Sequence, residues 1–339
     1  MTTRYHDSRE LLIACTDAGD DPDDAVALAL LAFTTPEFAV LTTDEYSDYR
    51  RAAFVRYFLD LLGRPDVPVI PGEVTGGRKH WAAEGLAPSR RDGRRVGWQS
   101  FLTGLSVDPE QRLLWAGFGP MTELAWMLSS DVTAQSPAGV LDRTKVVQMG
   151  GWYRTYRDPS RAEHNLRADP RAARYVVDSG VDLTLVLSDT TWRTEIAVHR
   201  DSEIYRLLAA STEPWARLLV AHYDQWFQVW HSSSRLHDPL ALWALLRESE
   251  TIKGSGRYVD FEQLDFRMEA DGRMVSGTEC SARVSVATDY AAFMEWVRAT
   301  LSAGGPLGWA LTRSVEEVTG PIAADALALN ELLTKLREY

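Results

Sequence analysis

Near its amino terminus the chain carries more carboxylate than a folded site holds unaided. The segment Asp17-Ala18-Gly19-Asp20-Asp21-Pro22-Asp23-Asp24 places five aspartates in eight positions. At that density like charges raise one another's pKa unless a cation stands among them. One or two such residues would read as a helix cap with a solvated loop. Five of them, directly after an apolar run, point to a hard divalent cation held by oxygen. Calcium fits best, since it takes many oxygen ligands in flexible geometry, and magnesium is the second choice. No histidine or cysteine stands within the segment to favour a softer metal.

These residues need a frame. Short apolar, β-branched runs at Leu11–Thr16, Phe38–Thr43, Val67–Pro71, Arg112–Phe118, Thr144–Met149 and Leu183–Ser188 read as strands. Helical patterns such as Asp23–Phe33 and Tyr46–Leu62 follow most of them. This alternation predicts an α/β protein with an open, mostly parallel, Rossmann-like sheet flanked by helices. Ligands in such sheets gather at the carboxyl ends of strands, and the aspartate segment follows the first strand. Asp23 and Asp24 then fall in a first helical turn, where the helix dipole favours negative charge. From about Ser202 helices dominate up to Arg247, a hairpin is expected over Val259–Ala287, and an amphipathic helix over Asp289–Leu301. Gly304, Gly305 and Pro306 read as a linker to a last helix, Ala323–Arg337. The expected organisation is one catalytic domain over 1–303 and an appendage over 304–339.

Composition narrows the partners. In 339 residues the net charge is -12, with 45% hydrophobic and 25% charged side chains. An acidic balance argues against nucleic acid, whose phosphates need a basic surface. No apolar run reaches the roughly 18 residues of a membrane span, and the polar start shows no signal peptide, so a cytoplasmic enzyme is expected. Cys15 and Cys280 read as two reduced, buried thiols. Neither a P-loop nor a dinucleotide fingerprint follows the first strand.

The aspartate segment resembles the opening motif of the inosine–uridine-preferring nucleoside hydrolase family. Three further blocks match in order over roughly residues 11 to 303. Phe118-Gly119-Pro120-Met121-Thr122-Glu123-Leu124-Ala125 is similar to the family's Gly-Pro turn between strand and helix. Met149-Gly150-Gly151, Glu163-His164-Asn165 and Asp169-Pro170 resemble its Met-Gly-Gly, Glu-Phe-Asn and Asp-Pro blocks. Leu236-His237-Asp238-Pro239 resembles its His-Asp-Pro block, a sequence that alone would only begin a helix. Asp169-Pro170 itself is an N-cap followed by a first-turn proline.

The resemblance implies the nucleoside hydrolase fold and calcium-dependent cleavage of a riboside's N-glycosidic bond. It assigns calcium to Asp17, Asp24, Asp238 and the Phe118 carbonyl, with Asp17 also the general base. Asp23 would hold the ribose 2′ or 3′ hydroxyls, and Met149, Glu163 and Asn165 the rest of the sugar. Asp20 and Asp21 are either outer carboxylates or loop. His237 is the first choice for general acid, with His80, His222 and His231 behind it. His222, Trp226 and Trp230 share one helical face, either a core stripe or a wall that stacks on the base. The family also implies a homodimer or homotetramer.

Two segments depart from the family pattern. Thr42-Thr43-Asp44-Glu45-Tyr46 replaces an asparagine turn, and Arg157 stands where an asparagine usually meets the sugar's 5′ side. Arg157 is either part of a solvated basic loop or a grip on an anionic substituent such as a 5′-phosphate. The rival readings are therefore a hydrolase of a phosphorylated, ADP-ribose-like or specialised riboside, and a non-catalytic calcium-dependent sugar-binding protein.

Overall fold

The computed structural model describes residues 10–75, 81–88, 97–107, 112–129, 139–248 and 258–304. The first half alternates strand and helix: β1 Glu10–Thr16, α1 Asp23–Thr34, β2 Phe38–Thr42, α2 Arg50–Leu61, β3 Val69–Pro71, α3 Trp98–Val107, β4 Arg112–Gly117, α4 Thr122–Met127 and β5 Thr144–Met149. Then come α5 His164–Ala168, α6 Pro170–Asp178, β6 Asp182–Val186, α7 Ser188–Thr191, the two-residue β7 Ala197–Val198, α8 Glu203–Ala210 and α9 Pro214–Val229. The chain continues through β8 Ser234–Arg235, α10 His237–Glu248, β9 Val259–Met268, β10 Met274–Thr288 and α11 Tyr290–Ala303.

Eight strands form one sheet in the order β3-β2-β1-β4-β5-β6-β10-β9. All pairings are parallel except the β9–β10 hairpin, whose second strand joins β6 in parallel. The hairpin expected over Val259–Ala287 is therefore the sheet's edge rather than a separate lobe. Order reverses at the β1–β4 pair, so the crevice beyond those two strands is where this topology binds ligands.

Strand β1 explains the two layers. Leu12 and Ala14 enter the core shared with α1, α10 and α11, while Leu11, Ile13 and Cys15 enter the core against α3, α4 and α6. Helix α1 is apolar all round, and Ala25 through Ala32 are buried, because α2, α10 and α11 all pack on it. Its end is set by Pro36, which pushes Thr35 into extended backbone. Tyr46–Leu62 was expected to be helical throughout, yet α2 begins at Arg50. The Glu45 carboxylate takes the backbone N–H groups of Tyr46, Arg51 and Ala52, so the chain turns before it coils. Both cysteines are free and buried. No helix among the described residues is long and apolar enough to cross a membrane. The linker and the helix expected over Ala323–Arg337 lie outside the described residues.

Candidate active site

The crevice is a cavity of about 520 Å³ at the carboxyl ends of β1, β4 and β5. Its floor is the aspartate segment. Asp17 leaves β1 beside the Phe118-Gly119 turn that leaves β4. A side chain at Gly119 would meet the Thr43 methyl at 2.3 Å and crowd the Asp17 carboxylate at 3.3 Å, so only glycine lets the two strand ends approach.

Two helix amino termini converge on this floor. Asp24 accepts the Thr16 hydroxyl. Asp23 reaches across to α10, and its Oδ2 accepts the His237 and Asp238 N–H groups at 3.1 and 3.2 Å. The amino-terminal N–H groups and dipoles of both helices thus face the carboxylates. Oxygens of Asp23, Asp24 and Asp238 all lie within 4.8 Å of one another, and Asp17, Asp20 and His164 form a second such group. Burial, followed by mutual repulsion, pushes Asp23, Asp24 and Asp238 well above the usual carboxylate range. Burial likewise raises Asp20 and Asp21 to about 8. Buried hard oxygens that repel one another at this spacing fit a divalent cation.

Asp17 is the exception among the floor aspartates. Burial would raise it, but the His164 contact and the Arg51 charge outweigh burial and hold it below the usual range. His164 Nε2 lies 3.6 Å from Asp17 Oδ2. Burial opposes the imidazolium, yet Asp17 raises it to about 9. Arg51 is wholly buried beneath the loop. It donates to the carbonyls of Asp17, Ala18 and Asp44, and its Nη2 lies 3.7 Å from Asp20 and 4.0 Å from Asp44. The Thr42–Tyr46 departure therefore builds a seat for this guanidinium. Asp44 adopts φ +51° there, a conformation that aspartate tolerates better than most residues.

The far wall comes from β5 and the loop after it. Gly151, at φ +80°, would drive a side chain into the Met274 sulfur at 2.6 Å, and its N–H donates to Glu163. Glu163 Oε2 also takes the Asn165 and Leu166 N–H groups, which starts α5. Asn165 donates to the Phe118 and Met149 carbonyls at 2.7 and 3.0 Å. Both its protons are thus spent on the backbone, leaving Oδ1 as the atom available to a ligand. The Phe118 carbonyl keeps one lone pair free of that bond. Asp169 caps α6 through the Ala172 N–H at 3.0 Å, as its sequence indicates.

His237 lines the cavity, with Nδ1 2.6 Å from the Thr191 hydroxyl and its ring stacked on Trp192. Burial, then the Arg235 and Arg157 charges, push it down to about 3, so it is neutral in the free protein. Met149, Arg157, Trp226 and His231 also line the cavity. His222 does not. It is buried under the floor with Nε2 3.1 Å from the Asp20 carbonyl, and burial lowers it to about 4. Of the expected His222–Trp226–Trp230 stripe, only Trp226 reaches the cavity, because α9 turns His222 against Phe54 in the core. His80 lies outside the described residues. Sequence reasoning passed over His164, Trp192 and Arg235. His164 stood in plain view where the family carries phenylalanine, and Arg235 lies two residues before His237.

Residues 12–295 match the model of the inosine-uridine preferring nucleoside hydrolases. The chain belongs to this family. Among relatives, uridine nucleosidase 1 of Arabidopsis thaliana is 26% identical over 262 residues, 70% of this chain and 74% of that protein. The pyrimidine-specific ribonucleoside hydrolase RihA of Salmonella agona is 26% identical over 306 residues, 82% and 94% of the two chains. A solved plant nucleoside hydrolase superposes with a TM-score of 0.66 over 87% of this chain and 99% of its own, at 19% identity, and shares the fold. The protein is thus an N-glycosyl hydrolase acting on ribosides, built on the nucleoside hydrolase fold.

Proposed function

We propose that this nucleoside hydrolase uses calcium to cleave a ribonucleoside into free base and ribose. The observation that carries this is the buried carboxylate floor, where Asp23, Asp24 and Asp238 converge beside Asp17. Asp17, Asp24, Asp238 and the Phe118 carbonyl would hold the ion. When bound, it offsets their charge and lowers the pKa of an attacking water. Asp17 is the general base. It takes the water's proton while the water oxygen bonds to C1′, and the C–N electrons leave with the base. The positive charge that builds on the sugar is stabilised by the surrounding carboxylates. Asp23, Glu163 and the Asn165 carbonyl oxygen accept sugar hydroxyls and orient the ring, with Met149 beneath it. Trp226 stacks on the base. His237, neutral in the free protein, acts as general acid only after taking up a proton as substrate binds, and passes it from Nε2 to the departing base while Nδ1 is held by Thr191.

The test is base release from a panel of ribosides, with and without chelator and calcium. Asp17→Asn is expected to lower kcat by about 10²–10⁴-fold, the range of a general base. Calcium should restore the chelated wild type but not the variant. Full activity in chelator would overturn the calcium reading, and an active Asp17→Asn would overturn the assignment of the base.

A further inference from the structure

Four arginines line the same cavity as the aspartates: Arg157, Arg161, Arg167 and Arg235. Among the described residues none of the four forms an ion pair, in a protein with 48 acidic and 36 basic side chains. Two of them pack on one indole. The Arg235 guanidinium lies 3.7 Å from the Trp192 ring centre and that of Arg157 5.3 Å. Arg235 is not a floppy surface residue. It sits in the β7–β8 ladder opposite Ala197, one residue after Ser234, which bonds Asp21. Its Nε is buried without a hydrogen-bond partner. A buried donor left unpaired is costly unless a ligand completes it.

Asp21 attracts Arg235 from the floor while Arg157 repels it, and an anion bound between the two guanidiniums removes that repulsion. Arginine's planar fork suits phosphate, and stacking on Trp192 fixes its plane. Tyr156 packs on Trp192 and feels the charges of both Arg157 and Glu163, so this cationic corner borders the sugar-holding Glu163 as well as His237. We propose that Arg157 and Arg235, seated on Trp192, form a phosphate subsite, and that the preferred substrate is a riboside phosphorylated on its sugar. This rests on the riboside hydrolase reading and specifies its substrate class.

Two measurements test it. The first is direct binding of ribose 5-phosphate against ribose, which needs no turnover. The second is the ratio of kcat/KM for a 5′-mononucleotide to that for the matching nucleoside, in wild type, Arg157→Gln, Arg235→Gln and Arg235→Lys. The expected results are tighter binding of the phosphorylated sugar and a wild-type ratio above about 10. Each glutamine variant should lower that ratio at least about 10-fold, and lysine, lacking the fork, should restore it only in part. Arg157 is exposed, so its variant keeps the test alive if substitution of Arg235 disturbs folding. Equal binding of the two sugars with a ratio near 1 overturns the proposal. A nucleoside bearing a carboxylate on its base forms a third arm. If the arginines discriminate that compound and not the nucleotide, the anion belongs to the leaving group and the proposal falls. If no riboside releases base while ribose 5-phosphate still binds through Arg157 and Arg235, the subsite stands and the riboside hydrolase reading fails.

Discussion

At the scale of single residues, the same side-chain type does different work according to what surrounds it. Asp17 is held ionised by His164 and Arg51, whereas burial and their neighbours make Asp23, Asp24 and Asp238 resist ionisation. The proposed base and the proposed cation site need these two conditions, and the residues that meet them line one cavity. His237 offers a sharper test of role. If it protonates the leaving base, His237→Ala should lower kcat on ordinary nucleosides by about 10²–10⁴-fold. The same variant should leave a nitrophenyl riboside nearly untouched, because that leaving group departs without a proton. Equal losses on both substrates would instead place His237 in positioning the sugar.

At the scale of elements, helices α1, α9 and α10 hold one loop between them. Asp23 of α1 caps α10, and His222 of α9 braces the Asp20 carbonyl from below. The His222 pKa, lowered to about 4 by burial, has a consequence for stability. Its unfolded value is near 6.5, so between those two values the unfolded chain binds more protons than the folded one. The contribution of neutral His222 is complete above about pH 6.5 and is lost as pH falls towards 4, amounting to roughly 3 kcal/mol. Other buried groups titrate over this range, Glu123 being raised to about 7 by burial, so the readout is a difference. Chemical denaturation of wild type and His222→Gln between pH 4 and 7 should show the wild type losing more stability on acidification. Parallel curves would mean that the imidazole is not held neutral.

At the scale of the whole molecule, the sheet's switch point brings the two strand ends and two helix termini to one cavity, where burial and mutual repulsion penalise the ionised carboxylates. A ligand that binds only the folded state stabilises it by mass action, about 2.7 kcal/mol at a hundred times its Kd. Calcium should therefore raise Tm by several degrees, and chelator should reverse the rise. Asp24→Asn and Asp238→Asn should each blunt the calcium response while raising Tm without calcium, because each removes the cost of burying a carboxyl that is ionised in the unfolded chain. A response to magnesium but not to calcium would reassign the ion.

Much of this protein was legible in its residues. The apolar runs and helical periods specify the parallel α/β sheet, and Asp17, Asp23, Asp24, Phe118, Glu163, Asn165, His237 and Asp238 all come together in the cavity they were expected to share. Those signals are local: a buried strand, a capped helix and a glycine turn each show themselves within a dozen residues. What the sequence could not determine depends on partners far apart in the chain. Asp23 meets His237 across 214 positions, and Arg51 meets Asp17 across 34. His222 and Trp226 lie on neighbouring turns of one helix, yet only packing decided that one braces the floor from below while the other faces the cavity. Arg157 was visible as a departure, but the unpaired Arg235 and the indole beneath both arginines appear only once the chain has folded, because burial and charge pairing are properties of the tertiary structure and not of any segment within it.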